Sequence, residues 1–141
     1  VKLRHLDEDL KARQTIAAYY YDNINNPLIT LPKRLPDTEN VYHLFPILVG
    51  GDEAIRRLSN KAGLRDKLQT YLAENGVGTV IHYPIAPHKQ ECYVHEVWNT
   101  PQLSLPITEM LADCELSLPI SPTMTIEEAE EVVRLINEWK G

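Results

Sequence analysis

Apolar side chains recur along this chain in blocks of different period, and the period of each block predicts its element. In residues 3–25, Leu3, Leu6, Leu10, Ile16, Ala17, Tyr20 and Ile24 return at three- and four-residue steps. That spacing predicts a long amphipathic helix, ended where Asn25-Asn26-Pro27 denies it another turn. Tyr19, Tyr20 and Tyr21 spread over nearly a full turn, so at least one leaves the helix's own stripe and packs on another element. Leu64, Leu68, Tyr71 and Leu72 repeat the helical spacing and stop at Asn75-Gly76, where glycine takes the left-handed position that closes a helix. Near the C-terminus, Thr125-x-x-Glu128 forms a capping box. Behind it Ala129, Val132, Val133, Ile136 and Trp139 draw one apolar stripe, which predicts a helix with Trp139 anchored in the core.

The remaining blocks read as strands and connectors. Residues 41–49 are rich in β-branched and aromatic side chains and bounded by Gly50-Gly51, which predicts a first strand. Pro46 within it requires an edge, a bulge, or a missing N–H that faces outward. Residues 79–83 are predicted as a second strand stopped by Pro84, and residues 116–118 as a short third one. The Pro-spaced residues 31–36 predict an extended connector, residues 52–63 a short helix or loop, residues 87–98 a helix, and residues 108–114 a short helix, with Pro101 and Pro106 bracketing a turn. Helices and strands in this order, with too few strands for a doubly wound sheet, predict an α+β fold.

Composition narrows what such a fold can do. The 141 residues are 43% hydrophobic and 24% charged, as in one soluble domain with a single core over residues 1–141. A net charge of -6 gives no cationic field for a phosphate backbone, so no nucleic acid is expected as partner. The wholly apolar runs are strand-sized, far short of the roughly 20 residues that cross a bilayer, and no membrane partner is expected. Cys92 and Cys114 make no disulfide framework and nothing near Val1 resembles a signal peptide, which predicts a reducing cytoplasm. The abrupt opening on Val1, with no capping residue ahead of the first helix, predicts a piece of a longer protein.

Candidate chemistry concentrates in Ile81-His82-Tyr83-Pro84-Ile85-Ala86-Pro87-His88-Lys89-Gln90, where a strand end delivers two imidazoles and a phenol into a proline-stiffened loop. Imidazole donates, accepts or titrates, and tyrosine carries a hydroxyl on an apolar body, so the set suits a polyhydroxylated or anionic ligand. The same histidines can equally serve to hold the loop. His88, Cys92 and His95 share one helix face at i, i+4 and i+7, but no fourth ligand completes a structural zinc site. No metal is therefore expected, and Cys92 reads as a small buried hydrophobe. Gly50-Gly51 and Gly76-Val77-Gly78 lack the spacing of a phosphate-binding loop, and Glu127-Glu128 and Glu130-Glu131 solvate a helix face. An enzyme domain and a non-catalytic binding or regulatory module both remain open on these residues alone.

Five segments taken together carry a resemblance: Leu3-x-x-Leu6-Asp7, Tyr42-His43-Leu44-Phe45-Pro46, Leu68-x-x-Tyr71-Leu72, Gly76-Val77-Gly78-Thr79-x-Ile81-His82-Tyr83-Pro84-x-x-x-His88 and Leu116-Ser117-Leu118-Pro119-x-x-Pro122-x-Met124. In this order they resemble the C-terminal part of the DegT/DnrJ/StrS nucleotide-sugar aminotransferases, across nearly the whole chain. The resemblance implies the small C-terminal domain of a fold-type I enzyme, with a short, mostly antiparallel sheet packed by helices. Residues 1–25 would then link to an absent large domain. It also implies a homodimer that depends on pyridoxal 5'-phosphate and moves an amino group from an amino acid, typically glutamate, to a keto sugar nucleotide in amino-sugar biosynthesis. The lysine that holds the cofactor and most phosphate contacts would lie in that large domain, so no catalytic residue and no cofactor are expected within this chain. By matching motif, His82 and Tyr83 are expected to touch the sugar nucleotide, with His88 as a third candidate, while His43 matches a family position without a role.

Overall fold

A computed structural model of the protein describes residues 2–34, 40–50, 63–94 and 103–141. After a 3-10 turn at Lys2–His5, α1 runs over Leu6–Asn23 and buries Ile16, Ala17 and Tyr20. No side chain caps its start, in agreement with the sequence. Tyr20 is fully buried and its hydroxyl donates to the Pro119 carbonyl at 2.7 Å. Burial pushes the Tyr20 phenol well above its ordinary pKa. Tyr20 and Tyr21 meet the Phe45 ring edge-on at 5.0 and 5.1 Å, so the tyrosine run packs across elements as its spacing requires.

The sheet has three antiparallel strands in the order β1 (Ile29–Thr30), β2 (Phe45–Val49) and β3 (Glu115–Leu118). β1 is too short to leave a periodic signal, and the sequence pattern does not predict it. Pro46 sits on the central strand, and the register shows how. Ser117 spends both backbone groups on Val80, at 3.2 and 2.8 Å. Its pairing with Pro46 is therefore the non-hydrogen-bonded kind. The missing N–H of Pro46 points the other way, past the end of two-residue β1, where no ladder bond is lost.

The strand expected at residues 79–83 is instead a single bridge between Val80 and Ser117. The next donor in line, the His82 N–H, goes to Glu115 Oε2 at 2.7 Å, so the ladder stops there. Helix α2 (Leu64–Glu74) ends as predicted. With Gly76 at φ 82, the Gly76 N–H reaches the Ala73 carbonyl at 3.0 Å and the Val77 N–H reaches Leu72 at 2.8 Å, the paired bonds of a Schellman ending. The helix expected over residues 87–98 is broken. A 3-10 turn at Pro87–Lys89 is separated from α3 (Glu91–Val94) by extended Gln90, and the remainder lies outside the described residues. Residues 51–62, and with them most of the expected helix or loop, also lie outside. Helix α4 (Pro106–Cys114) begins on Pro106 in its first turn, where a missing N–H costs nothing, so this proline opens a helix and does not close a turn.

The C-terminal helix α5 (Ile126–Glu138) has the capping box in place: the Glu128 N–H donates to Thr125 Oγ1 at 3.2 Å and the Thr125 N–H to Glu128 Oε2 at 2.9 Å. Trp139 lies just past its end and is 7% exposed within the core. One face of the sheet (Phe45, Ile47, Val49, Leu116, Leu118) joins buried residues of α1, α2 and α5 in a single cluster. The opposite face carries Pro46 and Leu48 beside Ser117 and Glu115, and against that face the candidate site is built.

Candidate functional site

The period of two along β3 puts Leu116 and Leu118 in the core and turns Glu115 and Ser117 to the other face. Those two polar side chains are buried, at 7% and 3% exposure, because residues 82–90 and α4 lie over them. Each has partners. Ser117 Oγ donates to Glu115 Oε1 at 2.6 Å, and His82 Nδ1 lies 3.0 Å from Ser117 Oγ. With the His82 N–H on Glu115 Oε2, the carboxylate accepts on both oxygens. Arg65, buried in α2, sends Nη1 to the Ala112 and Glu115 carbonyls at 3.1 and 3.2 Å. There a fixed cation meets the carbonyl end of α4 and holds the α4–β3 junction in place.

His82, Glu115 and Ser117 lie on one wall of a cleft of about 500 Å³, lined for the rest mostly by apolar side chains such as Leu44, Leu48, Ile85, Ala86 and Leu111, while Arg65 stays behind that wall. His82 and Tyr83 both line it. Tyr83 is 71% exposed with its ring edge-on to His82 at 5.8 Å, and the peptide between the two is cis. The structure therefore brings His82 and Tyr83 together at a cleft wall. His88 is placed elsewhere, with its side chain only 8% exposed and Nε2 3.0 Å from Glu109 Oε1. It does not line the cleft. The same carboxylate takes Lys89 Nζ at 2.6 Å and the Leu105 N–H at 3.0 Å. The Lys89 ammonium first, then the Leu105 amide and the His88 ring, hold the Glu109 carboxyl down to about 2. His88 is thus a strut between the loop and α4. His43 is exposed and lies with Tyr42, Leu44 and Phe45 around a separate, smaller hollow.

Cys92 is exposed, which corrects its reading as a buried hydrophobe: Glu91 and Tyr93 beside it are exposed as well, so the short α3 turns no side chain at these positions into the core. His95 lies outside the described residues, and among the described residues no group of three or more His, Cys, Asp or Glu is gathered as metal ligands. Among them, too, no helix is long and apolar enough to cross a membrane. Sequence reasoning missed Glu115, Ser117, Arg65 and Glu109. A signal for the first two existed, since polar residues at i and i+2 of a short apolar strand must share the face away from the core.

The arrangement can bind an organic molecule with an apolar flank and several hydroxyl or amide groups. Comparison with known proteins gives it a context. The DegT/DnrJ/EryC1/StrS aminotransferase family model matches residues 1–137. The chain is 43% identical over 139 residues to a dTDP-3-amino-3,6-dideoxy-alpha-D-galactopyranose transaminase of Aneurinibacillus thermoaerophilus, covering 99% of this chain and 34% of that one. It is 34% identical over 140 residues to a dTDP-3-amino-3,4,6-trideoxy-alpha-D-glucose transaminase of Streptomyces venezuelae, covering 99% and 33%. Among solved structures, S. venezuelae DesV in complex with a ketimine intermediate matches with a TM-score of 0.81 at 34% identity, over 97% of this chain and 33% of that one. The chain spans about a third of the length of these relatives. The α+β fold with its antiparallel three-stranded sheet is that of a small domain in fold-type I, pyridoxal phosphate-dependent aminotransferases. By its sequence and its fold, this chain belongs to the DegT/DnrJ/EryC1/StrS aminotransferase family.

Proposed function

We propose that this chain is the small C-terminal domain of an aminotransferase that moves an amino group from an amino acid, such as glutamate, to a keto sugar nucleotide in amino-sugar biosynthesis. The observation that carries the reading is the family match over residues 1–137. The cleft supports it, since its wall presents an imidazole and a phenol beside apolar surface. Two relatives are named for dTDP-linked amino deoxy sugars, and such sugars offer hydroxyls and deoxy carbons that match this mixed lining.

Pyridoxal phosphate does not fit the residues present here. Among the described residues no lysine or arginine lines the cleft, so none of them would form an imine with the aldehyde or pair with the phosphate there, and the nearby Glu115 carboxylate opposes an anion. The cofactor belongs to the larger part of the enzyme outside this chain. In the proposed enzyme His82 and Tyr83 donate to and accept from the sugar's polar groups and fix its orientation. Leu44, Leu48 and Leu111 exclude water from its apolar side. His88 and Glu109 hold the loop against α4 and act through it, without touching substrate. The exposed Tyr83, Ile85 and Ile107 at 71%, 53% and 70% offer apolar surface for the large domain, and Leu3 and Leu6 are likewise uncovered, as a linking helix in a cytoplasmic homodimer of this kind requires.

The test is kinetic, in the complete enzyme that carries this domain. His82→Ala or Tyr83→Phe lowers kcat/KM for the keto sugar, while the amino-donor half-reaction and the melting temperature stay near wild type. Removal of one ligand hydrogen bond is worth about 0.5–1.5 kcal/mol, more where a buried partner is left unpaired. Loss of both half-reactions together with a lowered melting temperature would show that the pair only holds the loop.

A further inference from the structure

We infer that Glu115 and Ser117 are positioning residues that hold the His82 ring proton on Nδ1. Nε2 then meets the cleft as a hydrogen-bond acceptor and selects a hydroxyl or N–H of the substrate over a phosphate or carboxylate oxygen. The part concerning substrate rests on the functional reading above; the tautomer rests on this chain's geometry alone.

A serine hydroxyl has a single proton to give. Ser117 Oγ gives it to Glu115 Oε1 at 2.6 Å, within the range of a hydroxyl on a carboxylate. The carboxylate cannot return one, and its other oxygen is occupied by the His82 backbone N–H at 2.7 Å, a group that only donates. Ser117 Oγ is thus left as an acceptor toward the ring nitrogen 3.0 Å away, and His82 must supply the proton in that contact. A neutral imidazole has one N–H, so with Nδ1 protonated the lone pair is on Nε2. Glu115 and Ser117 are 7% and 3% exposed, and solvent does not compete for these bonds. No described residue bonds Nε2, and the ring lines the cleft. An acceptor there attracts a sugar hydroxyl and repels an anionic oxygen, which has no proton to offer.

An isosteric substitution makes this decisive. In Glu115→Gln the amide must turn its oxygen to the His82 N–H. Its NH2 then faces Ser117 Oγ, whose proton swings to His82 Nδ1, and the ring proton moves to Nε2. The experiment is long-range proton–nitrogen NMR of the full chain with labelled histidine, at about pH 8, where an ordinary imidazole is neutral. The His82 signals are assigned by their loss in His82→Gln. The expected wild-type spectrum has a pyrrole-type Nδ1 and a pyridine-type Nε2, and Glu115→Gln exchanges the two. Ser117→Ala removes the relay, and the single tautomer gives way to a mixture. A wild-type ring protonated on Nε2 overturns the inference, as does an unchanged tautomer in Glu115→Gln or, should that variant not fold, in Ser117→Ala. In the complete enzyme Glu115→Gln should lower kcat/KM for the keto sugar about tenfold with the donor half-reaction unmoved. A reversed tautomer with unchanged kcat/KM would leave the relay standing and remove the substrate from His82, which overturns the functional reading instead.

Discussion

Asn25 and Asn26 are adjacent and chemically identical, yet the structure gives them opposite weights. Asn26 is 6% exposed. Its Nδ2 donates to the Ile136 and Trp139 carbonyls at 2.6 and 2.8 Å, and its Oδ1 accepts from the Leu28 N–H at 2.9 Å. The first two bonds satisfy carbonyls at the C-terminal end of α5 that the helix itself leaves orphaned. The exposed Asn25 engages Asn137 Oδ1 through its backbone N–H alone, at 3.0 Å, a bond that any residue but proline keeps. Replacing Asn26 by alanine deletes three bonds of about 0.5–1.5 kcal/mol each and strands partners in a buried site, so the loss should be about 3 kcal/mol. Asn25→Ala should cost under about 0.5 kcal/mol, as surface changes do. Asn26→Asp, equal in shape, retains the acceptor for Leu28 but sets an anionic oxygen against two carbonyls, and should cost at least as much as the alanine. Urea melts of the three variants, compared at equal slope, measure these differences. If Asn26→Ala and Asn25→Ala fall within about 1 kcal/mol of each other, the junction between α1 and α5 is not held as described.

Trp139 is 7% exposed, and Trp139→Ala should cost roughly 3–5 kcal/mol in the same melts; a loss under about 1 kcal/mol would mean that the ring does not anchor the core. The Glu109 carboxyl is held down to about 2 from an ordinary 4.5. Its contribution is therefore complete above about pH 4.5 and disappears as pH falls toward 2. The stability gap between wild type and Glu109→Gln should close over that window, and a gap that stays constant through it would refute the role of Glu109 as the loop's anchor. Because no lysine among the described residues lines the cleft, borohydride reduction of the chain mixed with pyridoxal phosphate should label no single lysine stoichiometrically, as mass spectrometry would read. One stoichiometric lysine would sink the placement of cofactor chemistry outside this chain.

What the sequence discloses and what it conceals follow from the range of the interactions. Signals confined to one turn are legible: the Thr125–Glu128 box, the Asn75-Gly76 ending and the stripe behind both involve residues within a few positions of one another. Pro46 was legible as a constraint, and the register supplies the answer, because only the partner strand determines which way a missing N–H points. β1 stayed hidden, since two residues have no period. Alternation predicts a second strand where the structure has one bridge, because Val80 and His82 look alike to such a pattern, while the fate of the His82 N–H depends on a carboxylate 33 residues further along the chain. The site follows the same rule. Motif resemblance singles out His82, Tyr83 and His88 alike, for they share one loop. Three-dimensional placement separates them: His82 and Tyr83 line the cleft, while His88 is braced by Glu109, 21 residues away. Glu115 and Ser117 reverse the case. Their short alternation announces polar side chains under a surface, but only contact with the loop reveals that they orient a histidine. A strand can supply that orientation because its pleat fixes the i and i+2 side chains on one face, a rigidity that the overlying loop lacks.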